Sequence, residues 1–529
     1  TRLRYSHLTK YAAIDPSLHA PQPGYVLVID QTQGDASIQY AGANKDRFAE
    51  MLLDAQLENP SARIVVKTHP EPAQGLRDGH FGSDVTNDQI QIEDQAISPW
   101  DLLEGATKVY TVSSQLGFEA ILAGHKPHVF GQPFYAGWGL TDDRFPVARR
   151  QRNLTRAQLV ACALILYPHW YSPHHDRLCS LHEVIDTLEA QARAWRDDHA
   201  GWCAQNVRLW KRPTFRQFFG AHGRIQFSGT PKGNARQMAW ASKTERKDVV
   251  RVEDGFLRSR GLGAQLVPPM SMVVDDTGIY YDPGSESRLE RLIQASPGLK
   301  DVHRSRAERL RRRLIAEGLS KYNLLGADLD LPEGRKILVP GQVEDDASIL
   351  AGTDTVSTNG ALLEQARSEN PDAFLIYKPH PDVEAGLRPG DLPQSAAIYA
   401  DVIASQADPT ALLNKVNEVW TLTSLLGFEA LLRGLPVTCL GAPFYAGWGL
   451  TRDLSQTPDR RSARPTLQDL IHAALIDYPR YFDPVTQSAA SVEVIVDRLS
   501  SDAPLPRAPS LRVLAKLQGV ASTFGPFWR

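Results

Sequence analysis

Short apolar runs alternate along this chain with longer stretches of helical periodicity. In the first third, YVLVID, ARIVVKTHP, KVYTVSS and HVFGQP show the first pattern, and NKDRFAEMLLDAQLENP and LGFEAILAGH show the second. This alternation is typical of a parallel sheet whose strands are connected by crossover helices. We therefore predict an α/β fold built from Rossmann-like domains. Polar or Gly/Pro motifs follow the strands, and ligands of such sheets bind at the carboxyl ends of the strands.

A repeat organises the chain into two copies of this pattern. The matching segments, with their positions in the two copies, are QTQGDASI and QVEDDASI (31–38 and 342–349), KTHPEPAQGLR and KPHPDVEAGLR (67–77 and 378–388), SSQLGFEAILAGHKP and TSLLGFEALLRGLP (113–127 and 423–436), and PFYAGWGLT (133–141 and 443–451). Because the blocks keep their order, we predict two tandem modules of one kind. A chain of 529 residues is also longer than one core usually supports.

The second copy has an upstream block that the first copy lacks. Residues 223–294 contain GRIQFSG, DVVRVEDGFLRSRGLG and SMVVDDTGIYYDP, which we interpret as strands that end in loops. LTKY near the start of the chain aligns with LSKY just after this block, from which we infer that the natural chain begins before Thr1 and that module one is half present. The predicted domains are module one, the upstream domain of module two, the repeated domain of module two and a tail, at residues 1–205, 206–324, 325–500 and 501–529.

Composition narrows the function. A net charge of -3, with 22% charged and 42% hydrophobic residues, argues against a protein that binds nucleic acid through bulk charge. The four cysteines have no metal-type spacing and are expected to be reduced, which favours a cytoplasmic location. No run reaches the roughly 18 apolar residues of a membrane span. The histidine cluster HWYSPHH has no histidine at the matching stretch RYFDPVT, so we expect no metal site.

A Ser/Thr pair precedes the repeated LGFEA helix in both copies. Thr423 and Ser424 in module two match Ser113 and Ser114 in module one. The N-terminus of a helix offers N–H groups and a positive dipole end to a phosphate, and hydroxyl groups add donors. An ordinary N-cap is the structural alternative.

An acid lies one turn into the same helix in both copies. It is Glu429 in module two and Glu119 in module one. A carboxylate at this position can accept hydrogen bonds from a ribose diol, and the two acids are therefore candidates for nucleotide binding.

In each copy, a Lys-x-His pair lies at the end of a predicted strand upstream of the LGFEA helix. Lys378 and His380 match Lys67 and His69, and alternate residues of an extended segment lie on one face. We expect each pair to hold a phosphate or a carboxylate. A histidine that belongs to the core is the alternative.

An aspartate is retained in the first repeated block. Asp346 follows Gln342 by four residues, Asp35 follows Gln31 in the same way, and the aspartate precedes the histidine by 34 residues in both copies (380 − 346 and 69 − 35). We interpret it as a catalytic carboxylate at a neighbouring strand end. The N-cap of the next helix is the alternative.

The upstream block ends a strand with VEDGFLRS. This motif supplies Glu253 and Asp254, followed by Arg258 and Ser259. Paired carboxylates provide general acid and base groups for glycosyl transfer. A common Glu-Asp-Gly turn is the alternative. The motif is weak evidence alone and is supported by the other motifs described above.

With these motifs the chain resembles the capsule polysaccharide β-Kdo transferases, the KpsC family, which have two modules of GT-B architecture. The resemblance rests on EDGFLRS, the QxxxDAS aspartate, the HP pair and the FYAGWG run, in the order of the family. It implies that each module transfers Kdo from CMP-β-Kdo to a glycolipid acceptor with retention, the N-terminal module forming β-(2→4) and the C-terminal module β-(2→7) linkages. Module one, without its own EDG carboxylates, is then expected to transfer nothing in this chain.

The resemblance also implies roles for the predicted site residues. Asp346 is the expected nucleophile of a covalent intermediate, with Asp35 as its counterpart, and Glu253 is the leading general acid/base with Asp254 beside it. His380 and its counterpart His69 are also expected to be catalytic, with His380 and Lys378 holding the departing phosphate. The other expected donor-binding residues are Thr423, Ser424, Glu429, Gln342 and Arg258, and in module one Lys67, Ser113, Ser114 and Glu119. The PFYAGWGLT run is expected to line the donor cleft. No cofactor or metal is expected.

The expected partners follow from the same resemblance. They are CMP-Kdo, a phosphatidylglycerol-type glycolipid acceptor, the cytoplasmic face of the inner membrane through a basic amphipathic tail at 501–529, and other capsule assembly proteins. The tail packed against the body is the alternative for that segment. Two rival functions stay open, namely another CMP-ulosonate transferase such as a sialyltransferase, and a scaffold that binds sugar or nucleotide without turnover.

Overall fold

The computed structural model describes residues 1–15, 17–69, 77–244, 246, 248–262, 267–324, 326–501 and 503. Its strands are β1 Tyr25–Ile29, β2 Ile64–Lys67, β3 Ile90–Glu93, β4 Ala106–Thr111, β5 His128–Val129, β6 Asp142–Asp143, β7 Trp170–Ser172, β8 Arg177–Cys179, β9 Trp202–Gln205, β10 Ile225–Gln226, β11 Arg236–Trp240, β12 Val250–Asp254, β13 Ser271–Asp275, β14 Lys336–Pro340, β15 Phe374–Lys378, β16 Val402–Ile403, β17 Glu418–Thr421, β18 Val437–Cys439, β19 Arg452–Asp453, β20 Pro479–Asp483 and β21 Ser488–Ala490.

Helices connect most of these strands. The α-helices are Arg2–Tyr5, Ala36–Tyr40, Lys45–Glu58, Pro99–Gly105, Gln115–Ala123, Arg156–Val160, Leu181–Asp198, Arg212–Phe219, Arg288–Ala295, Asp301–Ala316, Ala347–Gly352, Asn359–Glu369, Pro381–Glu384, Gln394–Ala397, Pro409–Leu413, Leu425–Leu432, Leu467–Ile471 and Val492–Ser500. Two π-helical turns span Ala161–Leu166 and His472–Asp477, and short 3-10 turns include Leu209–Lys211. Across the described ranges, no helix has the length and apolarity that a membrane span requires.

The chain divides into a first unit, Thr1–Ala192, and a second unit, Arg193–Arg529. In the first unit a parallel sheet has the order β3-β2-β1-β4-β5-β6. All five residues of β1 are buried, because helices cover both faces of the sheet. Val26 and Val28 pack with Phe48 on one face, and Leu27 packs with Trp100 on the other. The predicted α/β fold is therefore confirmed in this unit.

The second unit contains two sheets. A parallel sheet has the order β16-β15-β14-β17-β18-β19 and repeats the sheet of the first unit strand for strand. A mixed sheet has the order β10-β9-β11-β12-β13-β20-β21, in which β13 is antiparallel to both β12 and β20. Two α/β domains with a cavity between them give this unit the GT-B architecture that was predicted.

The sheets divide the second unit differently from the predicted boundaries. β9 belongs to the mixed sheet although it precedes residue 206, and β20 and β21 belong to it although they lie within the predicted repeated domain, 325–500. A buried ion pair holds β20 against the start of the upstream domain. In it, Arg480 of β20 donates two hydrogen bonds, of 2.8 and 2.7 Å, to Asp198. The tail expected to be an amphipathic helix lies outside the described residues, apart from residues 501 and 503.

The identical PFYAGWGLT run builds the same turn in both units. The hydroxyl of Tyr445 donates to the Ser424 carbonyl oxygen, and that of Tyr135 donates to Ser114 in the same way. A Cβ atom at Gly427 would lie 2.3 Å from the Tyr445 hydroxyl oxygen, which explains the glycine of LGFEA. The tyrosine of the run thus locks the turn against the LGFEA helix in both units.

Candidate functional site

A cavity of about 2170 Å³ lies between the two domains of the second unit. Small-molecule sites usually measure roughly 300–1,000 Å³, so this cavity has room for more than one ligand. It brings together every site residue predicted in module two, which are Glu253, Asp254, Arg258, Gln342, Asp346, Lys378, His380, Thr423, Ser424 and Glu429. Of the PFYAGWGLT run, Pro443 and Phe444 line it.

Asp346 lies where β14 leads into the next helix. It is the N-cap of Ala347–Gly352, and its Oδ1 accepts hydrogen bonds from the backbone nitrogen of Ser348 at 3.0 Å and from the Ser348 hydroxyl at 2.9 Å. Among the described residues, Oδ2 accepts no hydrogen bond. The cap therefore orients a half-buried carboxylate at the cavity wall and leaves one of its oxygens outside the cap. Asp346 can thus be both the N-cap of the helix and a catalytic carboxylate.

Gln342 connects two strand ends of the parallel sheet. Its Nε2 donates to the Thr423 hydroxyl at 3.0 Å, and its Oε1 accepts from the Thr423 backbone nitrogen at 2.9 Å. Ser424 caps the helix Leu425–Leu432 by accepting from Leu426, and its own N–H donates to Thr421. Because these backbone donors already have acceptors, an incoming phosphate finds hydroxyl groups here rather than free N–H groups.

The Lys378 and His380 pair carries less positive charge than the sequence suggested. Lys378 is buried and its ammonium forms an ion pair of 2.8 Å with Glu384. Burial, and then the charge of Lys321, lowers the pKa of His380 to about 4, so the imidazole is neutral at pH 7. His380 Nδ1 accepts from the Asp382 backbone nitrogen, which leaves the proton on Nε2. His380 is therefore a neutral donor at the cavity wall.

Glu429 has a backbone partner that the sequence did not reveal. Its Oε1 accepts from the Lys321 backbone nitrogen at 3.0 Å, and burial raises its pKa to about 7. This contact ties the LSKY segment to the LGFEA helix. The ribose-binding role of Glu429 stays a prediction.

The opposite wall carries the predicted pair of carboxylates at the end of β12. Asp254 forms an ion pair of 2.7 Å with Arg258. Burial raises the pKa of Asp254, but Arg258 and Lys211 act more strongly together and the net pKa is lowered. Burial and the neighbouring Asp254 raise the pKa of Glu253. Of the two carboxyl groups, Glu253 therefore holds its proton more tightly, and Asp254 is the more persistent anion.

Two tyrosines and a lysine of the cavity were missed. Burial, followed by the charges of Glu253 and Asp346, raises the pKa of both Tyr280 and Tyr281. Since carboxylates from the two walls act on the same phenols, they lie around one part of the cavity. Burial lowers the pKa of Lys321, but Tyr322 and the carboxylates of Asp254 and Asp346 outweigh it and the net pKa is raised. The sequence did hold a sign of the role of Lys321, because this lysine is retained in LTKY and LSKY of the two copies.

The first unit repeats the framework of this site. Gln31 bridges to Ser113 as Gln342 bridges to Thr423, and Asp35 and Ser114 cap their helices. Glu119 accepts from the Lys10 backbone nitrogen at 3.3 Å.

The Lys-x-His pair of the first unit has different partners. Lys67 donates to the carbonyl oxygens of Glu93 and Gln95, and His69 Nδ1 lies 3.0 Å from the Thr32 hydroxyl. Nothing in the described part of this unit corresponds to β9–β13. Across all described residues, no group of three His, Cys, Asp or Glu side chains is arranged to hold a metal ion.

Comparison with known proteins gives consistent matches. The model of the family described as "Capsule polysaccharide biosynthesis protein" matches residues 2–170, 225–324 and 325–481. The chain is 42% identical over 519 residues to the capsule polysaccharide modification protein LipA of Neisseria meningitidis serogroup B, which covers 93% of this chain and 73% of LipA.

Two solved structures from Thermosulfurimonas dismutans are also similar. KpsC, beta Kdo 2,4 transferase, is 31% identical with a TM-score of 0.52, over 58% of this chain and 99% of that one. KpsC, beta Kdo 2,7 transferase, is 33% identical with a TM-score of 0.48, over 56% and 98%.

Proposed function

The chain belongs to the capsule polysaccharide biosynthesis protein family, and from this premise we propose that its second unit is a retaining β-Kdo glycosyltransferase. It transfers Kdo from CMP-β-Kdo to a glycolipid acceptor during synthesis of a capsule linker. The observation that carries the proposal is the single cavity with Asp346 on one wall and Glu253 and Asp254 on the other. The name of the similar KpsC structure, a Kdo transferase, supports the choice of sugar.

The reaction proceeds by double displacement. In the first step a carboxylate oxygen of Asp346 forms a bond to the anomeric carbon of Kdo while the bond from that carbon to the CMP phosphate oxygen breaks. The phosphate leaves with the bonding electrons, and Glu253, protonated at neutral pH, gives it a proton. In the second step Glu253 takes the proton of the acceptor hydroxyl, whose oxygen attacks the anomeric carbon and releases Asp346. Two inversions give retention.

Local donors compensate the charge that develops on the leaving phosphate. His380 offers its Nε2 proton, and Lys321 offers a cation beside Asp346. Preorganised donors in a partly buried cavity stabilise such charge more strongly than water does. The proposal therefore requires neither a metal ion nor a cofactor.

The two units differ in the proposed activity. The second unit forms the β-(2→7) linkage, and the first unit, of the β-(2→4) type, is silent in this chain. In the described part of Thr1–Ala192, no pair of carboxylates corresponds to Glu253 and Asp254 as partners for Asp35. The proposed acceptor ends in a phosphatidylglycerol-type lipid, which places the enzyme at the cytoplasmic face of the inner membrane, with the tail as a contact.

Intact-protein mass spectrometry tests this proposal. The full chain is incubated with CMP-Kdo and compared with Asp346→Asn, which keeps the helix cap because asparagine is also a good N-cap, and with Asp35→Asn as the matched control. We expect a mass increase of one Kdo unit that disappears with Asp346→Asn alone. Transfer to acceptor without any adduct contradicts the covalent route. Adducts with a CMP-activated nine-carbon sugar but not with CMP-Kdo favour the sialyltransferase alternative.

A further inference from the structure

A group of cations on the upstream wall of the cavity has no role in the donor chemistry. Lys211 ends the 3-10 turn Leu209–Lys211, and its ammonium lies 2.8 Å from the centroid of the Trp240 ring. Within the described ranges, no carboxylate lies close enough to Lys211 to form an ion pair. Burial lowers the pKa of this lysine against the opposing effects of Asp254 and Glu253. Such a partly desolvated cation over an aromatic face is arranged to receive an anion.

Arg251 lines the same cavity as Lys211. It precedes Glu253 by two residues on β12, so the two side chains lie on the same face of the strand. Its Nη2 donates to the Arg246 carbonyl oxygen at 3.1 Å, and its Nη1 is buried and has no hydrogen-bond partner in the described structure. Asp275, opposite Arg251 on β13, instead accepts from Thr277, Gly278, Arg288 and Tyr478. The guanidinium therefore keeps unused donor capacity.

We infer that Lys211, Arg251 and the Trp240 ring form a subsite for an acidic group of the acceptor, a carboxylate or a phosphate. The inference rests on the proposed function, because Glu253 takes the proton of the acceptor hydroxyl and the acceptor must therefore lie against this wall. Asp346, His380 and Lys321 surround the donor on the other side. The cavity volume of about 2170 Å³ accommodates both molecules at once.

The position of the subsite gives it a second effect on transfer. An acidic group held by Lys211 and Arg251 places the rest of the acceptor beside Glu253, two residues along β12. A neutral acceptor lacks this anchor and leaves two partly buried cations without an anionic partner, which costs binding free energy. The subsite thus selects acidic acceptors and sets their orientation.

Steady-state kinetics of the full chain test the subsite. Three acceptors are compared: a short sugar acid without lipid phosphate, its methyl ester, and a lipid-phosphate acceptor whose carboxyl is esterified. Lys211→Met and Arg251→Met are measured beside Lys211→Arg, which keeps the charge, and beside Lys232→Met, an exposed lysine of the same domain that lies outside the cavity. Circular dichroism and thermal midpoints establish that each variant is folded.

The expected result is an acceptor KM raised about 10- to 100-fold in Lys211→Met and Arg251→Met for the acidic acceptors. The ester's KM, already high in the parent, stays the same, and Lys211→Arg and Lys232→Met resemble the parent. A KM effect confined to the sugar acid identifies a carboxylate, and one confined to the lipid phosphate identifies a phosphate. An unchanged acceptor KM overturns the inference, including the case in which only kcat and its pH profile change, because Lys211 then acts solely through the neighbouring carboxylates.

A binding measurement separates this inference from the proposed function. Saturation-transfer NMR detects the sugar acid on the parent chain and on Lys211→Met without any CMP-Kdo. Binding that is lost in the variant supports the subsite even if no transfer occurs, in which case the proposed function fails alone. Equal binding by the parent and the variant overturns the subsite while transfer by the parent still supports the proposed function.

Discussion

The identical PFYAGWGLT turn lies in different surroundings in the two units. Phe134 of the first unit is 47% exposed, whereas its counterpart Phe444 is 4% exposed. Phe444 stacks on Phe256 with ring centroids 4.8 Å apart, and Tyr280 packs edge-on against both rings. The repeated sequence therefore specifies the turn, and the upstream domain decides whether the turn becomes part of a core and of a site.

The hairpin that follows shows the same difference at the level of the backbone. β7 and β8 form a sheet of two strands in the first unit, whereas β20 and β21 extend the mixed sheet of the second unit through β13. Tyr167 before β7 is 89% exposed, but Tyr478 before β20 is buried and donates to Asp275 at 2.8 Å. The matching segments therefore form a two-stranded sheet in one unit and part of a larger sheet in the other.

The largest expected difference between the units is in turnover. Asp346→Asn should lower CMP release in the presence of acceptor by about 10³-fold or more, because the nucleophile is lost while the cap is retained. Asp35→Asn should change it less than about 2-fold. Coupled assay of released CMP measures both variants. Equal losses in the two variants would show that the first unit also takes part in transfer.

Stability should show the next largest difference. Phe444→Ala removes a buried ring and should lower the free energy of unfolding of the second unit by about 3–5 kcal/mol. Phe134→Ala removes a half-exposed ring and should cost less than about 1 kcal/mol. Urea unfolding followed by tryptophan fluorescence gives both values. Equal costs would mean that Phe134 is covered in solution by a surface that the first unit does not itself provide.

The two buried glutamates, Glu119 and Glu429, should show the same dependence of stability on pH, because their environments are alike in the two units. Burial raises the pKa of both Glu119 and Glu429 to about 7, above the ordinary value of 4.5. A raised folded-state pKa means that the folded state binds the proton more tightly, so this contribution is complete below about pH 4.5 and is lost as the pH rises through 7.

Replacement by glutamine, which mimics the protonated form, tests this shared behaviour. Glu119→Gln and Glu429→Gln should each flatten the fall in stability between pH 5 and pH 8 by about 2 kcal/mol. Urea unfolding at a series of pH values measures the change. A flattened profile in one variant only would show that the two environments differ.

The smallest expected effect concerns one hydroxyl group. Tyr478→Phe removes the bond to Asp275 and should cost about 1–2 kcal/mol, because a hydrogen bond to a carboxylate is lost inside the protein. Tyr167→Phe at the exposed counterpart should change stability by less than about 0.5 kcal/mol. Thermal unfolding of the two variants provides the comparison, and a destabilising Tyr167→Phe would contradict it.

The sequence predicted the features that depend on local order along the chain. The strands and helices of the repeat, the meeting of Asp346, His380 and Ser424 at one sheet edge, and the carboxylates of EDG on the facing wall are all found, since periodicity and strand ends determine them. The ion pair of Lys378 was missed although Glu384 lies six residues further on, because the helix that brings Glu384 back was not recognised.

Contacts between distant segments could not be predicted in this way. Lys321 approaches Asp346 and Asp254 only after two domains have packed, and Tyr280 acquires its partners from both walls. β20 pairs with β13, which ends about 200 residues earlier in the chain. Such pairings depend on tertiary packing, and no periodicity within a short window encodes them.

The Arg480 and Asp198 pair has a consequence for exchanging parts between proteins of this kind. Because β9–β13 precede the parallel sheet and β20 and β21 follow it, the mixed sheet is encoded by two separate stretches of the gene. A chimera that replaces residues 206–324 alone keeps Arg480 and Asp198 together, but it places the recipient's β9 and β20 beside foreign strands, so the strands of the sheet are mismatched. Recombination can transplant this domain successfully only when it carries both stretches together.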